Sequence, residues 1–157
     1  MGKDVCEIHI FDYGDYESVT PKDMNIHYHQ WGLKRANQPE GEKGDDGFYS
    51  IEEIVKKLGH DKRIIDIFKI DCDKCEWRTH EDWFGPNIPM IQQILVETHQ
   101  APQNRLLPFF DGIMGQGYVM FHKEANIQFA EGDSIEFGFL KLHDDFFADV
   151  DAQKKSR

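Results

Sequence analysis

Three acids crowd the end of one apolar run. Residues 64–70 read IIDIFKI, and Asp71, Asp73 and Glu76 follow at once. A run of β-formers bounded by charge is the pattern of a strand buried in a parallel sheet. In open α/β sheets ligands bind beyond the carboxyl ends of the strands, so acids there could hold a ligand, a proton or a metal. The same spacing also suits solvated acids at a strand–helix junction. A second run, QILVETH at 93–99, ends in Glu97 and His99, and a third, CEIHIF at 6–11, ends at Asp12. Three strand ends thus carry carboxylates, and one adds an imidazole that can move a proton near neutral pH.

Other chemistry-bearing residues are less directed. Cys72-x-x-Cys75 has the form of a redox or zinc half-motif, but no further ligands follow at zinc spacing. Its acidic neighbours also raise thiol pKa. Three cysteines leave one over, so no disulfide framework is expected and a reducing compartment fits. His27 and His29 lie two apart on one strand face and could offer two metal ligands. No glutamate follows them within residues 30–37, so strand histidines hydrogen-bonded on a half-buried sheet are expected, and no metal.

Strands and helices must position these groups. After residues 6–11 comes a turn-rich stretch at 13–22, then a second strand at 25–31 (NIHYHQW) and a polar loop at 34–47 containing Pro39. Ser50 and Glu53 have capping-box spacing ahead of Ile51, Ile54, Val55 and Leu58, which share a helical face that Gly59 ends. The strand at 64–70 leads through an irregular link past Trp77 and Trp83 to the strand at 93–99. A helix is expected over 105–114, where Pro108 limits its start. A strand at 118–122 and an alternating one at 134–142 (SIEFGFLKL) follow, the latter read as an antiparallel edge strand. Strands interleaved with helices indicate an α/β layered sheet.

The 157 residues suffice for one domain with a real core. A formal net charge of −11 argues against unspecific binding to nucleic acid or anionic membrane. No apolar stretch has the length of a membrane span and residues 1–7 form no signal peptide, so a cytoplasmic location is expected. Trp31, Trp77, Trp83 and the phenylalanines are expected in packing.

Taken in order, these pieces resemble a methyltransferase-domain family related to the FkbM-type S-adenosylmethionine (SAM) methyltransferases. The resemblance is carried by CEIHIF with Asp12, FKI with Asp71 followed by Cys75-Glu76-Trp77, QILVETH to His99, FHKEANIQ at 121–128, and IEFGFLKL at 135–142. It implies a three-layer, Rossmann-like sheet, mostly parallel with an antiparallel last strand, that binds SAM over its carboxyl ends. The partial domain would span residues 1–143, with a charged tail at 144–157. Asp12 would bond the ribose hydroxyls of SAM and Asp71 would lie near the methyl donor and acceptor. Asp71, Glu76 and His99 would be the catalytic groups, acting on an unspecified methyl acceptor, with oxygen in a small molecule or glycan expected.

Two departures qualify the resemblance. Lys74 stands where the family's Asp-x-Glu-Gly-x-Glu pattern has glycine. The family's first strand and glycine-rich loop would precede Cys6, where only five residues stand, so a domain incomplete at its N-terminus is expected. Strands 6–11 and 64–70 then pair directly, or the slot between them is filled from elsewhere. Two alternatives stay open: a non-catalytic α/β interaction module, and a metal-dependent glycosyltransferase fragment using Asp71-x-Asp73 to hold a cation on a diphosphate.

Overall fold

The computed structural model describes residues 6–37, 47–130 and 132–147. Strand β1 (Ile8–Phe11) pairs in parallel with β2 (Ile26–His29), placing His9 opposite His27 and Phe11 opposite His29. Between them a 3-10 turn, Glu17–Val19, occupies the turn-rich stretch. A short parallel pair, β3 (Gly32–Leu33) with β4 (Phe48–Tyr49), brackets the polar loop.

Helix α1 (Ile51–Leu58) begins as its sequence dictates. The Ser50 backbone nitrogen donates to Glu53 Oε2 at 2.7 Å, and the Glu53 nitrogen donates to Ser50 Oγ at 3.3 Å. Gly59 ends it in the left-handed conformation, φ 67°, a geometry glycine adopts without a Cβ clash.

The main sheet has four strands: β5 (Ile64–Ile70), β6 (Met90–His99), β7 (Tyr118–Ala125) and β8 (Ser134–Lys141), in the order β5-β6-β8-β7. β5 and β6 run parallel, and β8 runs antiparallel to both its neighbours. The last strand is thus the antiparallel one, as expected. Its place is not. β8 lies inside the sheet, and β5 and β7 are its edges among the described residues. The alternation of β8 reports one covered and one uncovered face rather than an edge position.

Helices cover a single face. Helix α2 (Glu76–Thr79), the 3-10 turn His80–Trp83 and helix α3 (Gln103–Gly115) link β5 to β6 and β6 to β7. Ile51, Val55, Trp83, Phe109 and Ile113 from helical segments join Ile94, Val96, Phe137 and Phe139 in one buried cluster. The last four are cross-strand neighbours, Ile94 with Phe139 and Val96 with Phe137. Leu140, opposite Gln93 on the other face, is exposed, and so are Ile67 and Phe121. Phe121 sits at a register shift between Met120 and His122, its ring across Gly138, where a Cβ would come within 2.7 Å of it. The described elements form a mixed α/β fold of mostly parallel strands with one antiparallel strand, its buried helical and strand residues gathered in one core cluster.

Three further expectations are corrected. Helix α3 begins at Gln103, two residues before the expected start, with Pro102 at its N-cap, and this places Pro108 inside the helix. Its missing N–H falls within the second turn, where the bond lost would have gone to Asn104 in the first turn. A fourth short helix, α4 (Ile127–Ala130), was not anticipated. Direct pairing of the first strand with β5 does not occur among the described residues: β1 pairs with β2, and β5 with β6. Of the expected tail, Asp144–Phe147 forms a 3-10 turn, and the rest lies outside the described residues.

Candidate active site

Parallel pairing brings the carboxyl ends of β5 and β6 to one edge, and the chemistry-bearing residues collect there. β5 ends at Ile70, in register with Val96, so Asp71 follows directly beside Glu97 and His99. The segment after Asp71 turns sharply. Asp73 and Lys74 both have positive φ, 49° and 86°, and the turn is bracketed by a disulfide between Cys72 and Cys75. This single local bridge is not the framework set aside from the cysteine count, and Cys6 is the one left over, free and exposed. The turn expected of glycine is made with Lys74 in its place.

Beyond the turn, Glu76 points back into the protein. Its side chain is 0% exposed. Oε1 accepts from the backbone nitrogen of His99 at 2.7 Å and lies 3.3 Å from His99 Nδ1. Oε2 lies 3.6 Å from Cys72 Sγ, which is bonded to Cys75. An oxygen already accepting the His99 N–H favours the tautomer with hydrogen on Nδ1, leaving Nε2 as the basic nitrogen. Trp77 completes the clamp, its indole N–H donating to the His99 carbonyl at 2.8 Å, while Arg105 donates to the Trp77 carbonyl at 2.7 Å.

His99 Nε2 faces the strand-end acids. It lies 3.7 Å from Asp71 Oδ1, 3.7 Å from Asp73 Oδ1 and 4.0 Å from Glu97 Oε1. His99 is 18% exposed and Asp73 98%, so the imidazole lies at the floor and Asp73 at the rim. Burial raises the Asp71 pKa, the Glu97 carboxylate adds to the rise, and Lys69 and His99 oppose it. Glu97 moves the other way, lowered chiefly by the Ser134 hydroxyl that donates to it. Asn126 donates to the same oxygen at 2.9 Å. Glu136, opposite Glu97 on β8, is raised by burial and eased by Lys69, 3.9 Å away.

The structure therefore brings together Asp71, Glu76 and His99, with Asp73 and Glu97. Asp12 ends β1 in the separate two-stranded sheet. Its Oδ1 accepts from the Gly14 nitrogen at 2.7 Å, while Tyr28 donates its hydroxyl to the carbonyls of Asp12 and Gly14. Ser134, Asn126 and Glu136 were not foreseen. They reach the site through the β6–β8 pairing, for which a single strand carries no sign. Asp71, Glu97 and His99 also present donor atoms within 4.8 Å of one another, close enough to share one cation.

An α/β domain with an acid–imidazole cluster at its parallel strand ends is the class that fold and site define. A family model described as a methyltransferase domain matches residues 1–141. The chain belongs to that methyltransferase-domain family. No curated protein and no solved structure matches it. No helix among the described residues is long and apolar enough to cross a membrane.

Proposed function

We propose that this domain is a SAM-dependent methyltransferase acting on an oxygen acceptor, with its reacting end at the carboxyl edge of β5 and β6. Family membership supports methyl transfer, and the resemblance to FkbM-type enzymes supports SAM and an oxygen acceptor in a small molecule or glycan. The observation that carries the reading is His99, fixed through Nδ1 by a buried glutamate with Nε2 turned toward Asp71 and Asp73.

The residues present fit the cationic donor in part. Asp12 ends a parallel strand with one carboxylate oxygen engaged in its own turn, leaving Oδ2 to accept from ribose hydroxyls. Asp71, Asp73 and Glu97 supply negative charge suited to a sulfonium. A Gly-x-Gly loop following a strand, which would cradle the methionine end, is absent among the described residues; Gly115 ends α3 and Gly117 comes just after it. When bound, SAM supplies an electrophilic methyl group.

In this reading His99 Nε2 takes the proton of the acceptor hydroxyl. Asp71 orients that hydroxyl and stabilises the imidazolium formed. Glu76, out of reach of substrate, is a positioning residue that fixes the tautomer and aim of His99. The test is calorimetric titration of the chain with SAM, alone and in Asp12→Ala. Binding is expected to be weak and to fall about tenfold or more in the variant, the cost of one charged hydrogen-bond acceptor. No binding at millimolar SAM, or unchanged affinity in Asp12→Ala, overturns the cofactor assignment.

A further inference from the structure

Four of the eight histidines gather away from the candidate active site. Glu7 and His9 lie on one face of the β1 segment, and His27 and His29 lie across from β1 on β2. His60 enters from a different part of the chain. The left-handed Gly59 cap turns the backbone so that the His60 nitrogen bonds the Val55 carbonyl at 2.9 Å. Its ring then meets His9 edge-on, centroids 4.9 Å apart.

The donor atoms converge. Glu7 Oε1 lies 3.1 Å from His9 Nε2 and 3.9 Å from His27 Nε2, and Glu7 Oε2 lies 4.0 Å from His60 Nε2. Donor atoms of Glu7, His9 and His60 all fall within 4.8 Å of one another. A tetrahedral zinc ion with bonds of about 2.0–2.2 Å holds its ligand atoms roughly 3.3–3.5 Å apart, so modest side-chain rotation suffices. His9 Nε2 is buried and 3.1 Å from Glu7 Oε1 but outside hydrogen-bond geometry with it, placed as two ligands of one ion would be. His9 Nδ1 is 2.9 Å from His29 Nε2, the outer contact that orients a metal-bound imidazole.

We propose that Glu7, His9 and His60 form a zinc site that braces the β1–β2 sheet against the start of β5, with His27 joining as the fourth donor once its Nε2 leaves Asn25 Oδ1, 3.0 Å away. Three nitrogens and one carboxylate oxygen suit Zn²⁺ among the available divalent ions. No backbone ladder joins β1 to β5 among the described residues, so the ion ties the two-stranded sheet to the segment that leads into the four-stranded one. Arg63, just before β5, keeps its ion pair with Glu7 Oε2 while Oε1 binds the metal. The site is structural. It lies at the opposite end of β5 from Asp71, roughly 20 Å away at ~3.3 Å per residue, and does not depend on the methyltransferase reading.

The test is titration of the chelator-treated chain with Zn²⁺, followed by calorimetry and thermal melting. One ion per chain and a raised melting temperature are expected. His9→Gln and His60→Gln each abolish stoichiometric binding in protein whose circular dichroism matches the parent. His29→Ala weakens binding about tenfold, and His99→Gln, folded by the same criterion, leaves it intact. Co²⁺ bound to the unaltered chain shows the visible bands of a tetrahedral ion, a readout that needs no variant to fold. No binding at micromolar Zn²⁺, an octahedral cobalt spectrum, retention of binding in both His9→Gln and His60→Gln, or its loss in His99→Gln overturns the proposal.

Discussion

Glu76 Oε1 holds His99 twice, 2.7 Å from its backbone nitrogen and 3.3 Å from its ring Nδ1. One buried carboxylate thereby fixes both the end of β6 and the direction of the imidazole. Glu76→Ala removes the acceptor and leaves a buried N–H without a partner, which costs about 2–3 kcal/mol. Glu76→Gln keeps a carbonyl oxygen for that N–H and costs about 1 kcal/mol. Urea midpoints followed by Trp77 fluorescence read both, since its indole bonds the His99 carbonyl. Equal midpoints for the parent and the alanine variant would show that the clamp carries no stability.

Lys74 occupies φ 86°, where an L side chain crowds the following carbonyl at about 1–2 kcal/mol. Glycine removes that crowding but costs about 0.5–1 kcal/mol in backbone entropy. Lys74→Gly should therefore stabilise the domain by about 0.5–1 kcal/mol, read as a rise of roughly 1–4 °C in melting temperature. A lowered temperature would mean that the lysine side chain contributes more than its backbone costs.

What the sequence could show depended on whether the signal was local. The Ser50–Glu53 capping box and the Gly59 stop each lie within a few residues and form as read; the apolar run at 64–70 forms its strand, but at an edge of the described sheet with Ile64 and Ile67 exposed rather than buried. The acids after β5 and β6 were visible for the same reason. Their partners were not. Ser134 and Asn126 reach Glu97 from at least 29 residues away, and His60 meets His9 across 51 positions, through a pairing that no local pattern encodes. The placement of β8 was misread because alternation reports the faces of a strand and not its neighbours. The Cys72–Cys75 bridge was set aside because spacing alone does not separate a disulfide from two thiols.

That bridge has a direct chemical test. With Cys72 and Cys75 joined, Cys6 is the free thiol of three cysteines. Alkylation of native protein without reductant should add one adduct by mass, and three after reduction and unfolding. The small loop closed by the bridge removes chain entropy from the unfolded state worth about 2 kcal/mol. The Cys72→Ser/Cys75→Ser double variant should lose about that much in urea. Three adducts on native protein would exclude the bridge.

Ser134 gives the site its clearest pH signature. Its hydroxyl is the largest cause of the lowered Glu97 pKa, and Glu97 is buried. A carboxylate depressed in the folded state adds stability above its unfolded pKa of about 4.3, and that stability is lost as pH falls through the folded value. Asp71 and Glu136, both raised, act in the opposite sense: the folded state favours their protonated forms, so they add stability as pH falls toward their ordinary values. Ser134→Ala removes the charged hydrogen bond and should cost about 1.5–3 kcal/mol at neutral pH. Because the variant's Glu97 pKa returns toward normal, the gap from the parent should narrow below about pH 4. Urea midpoints of both proteins from pH 7 down to pH 3 measure it. A gap that stays constant with pH would mean that Ser134 acts through packing and leaves the Glu97 charge untouched.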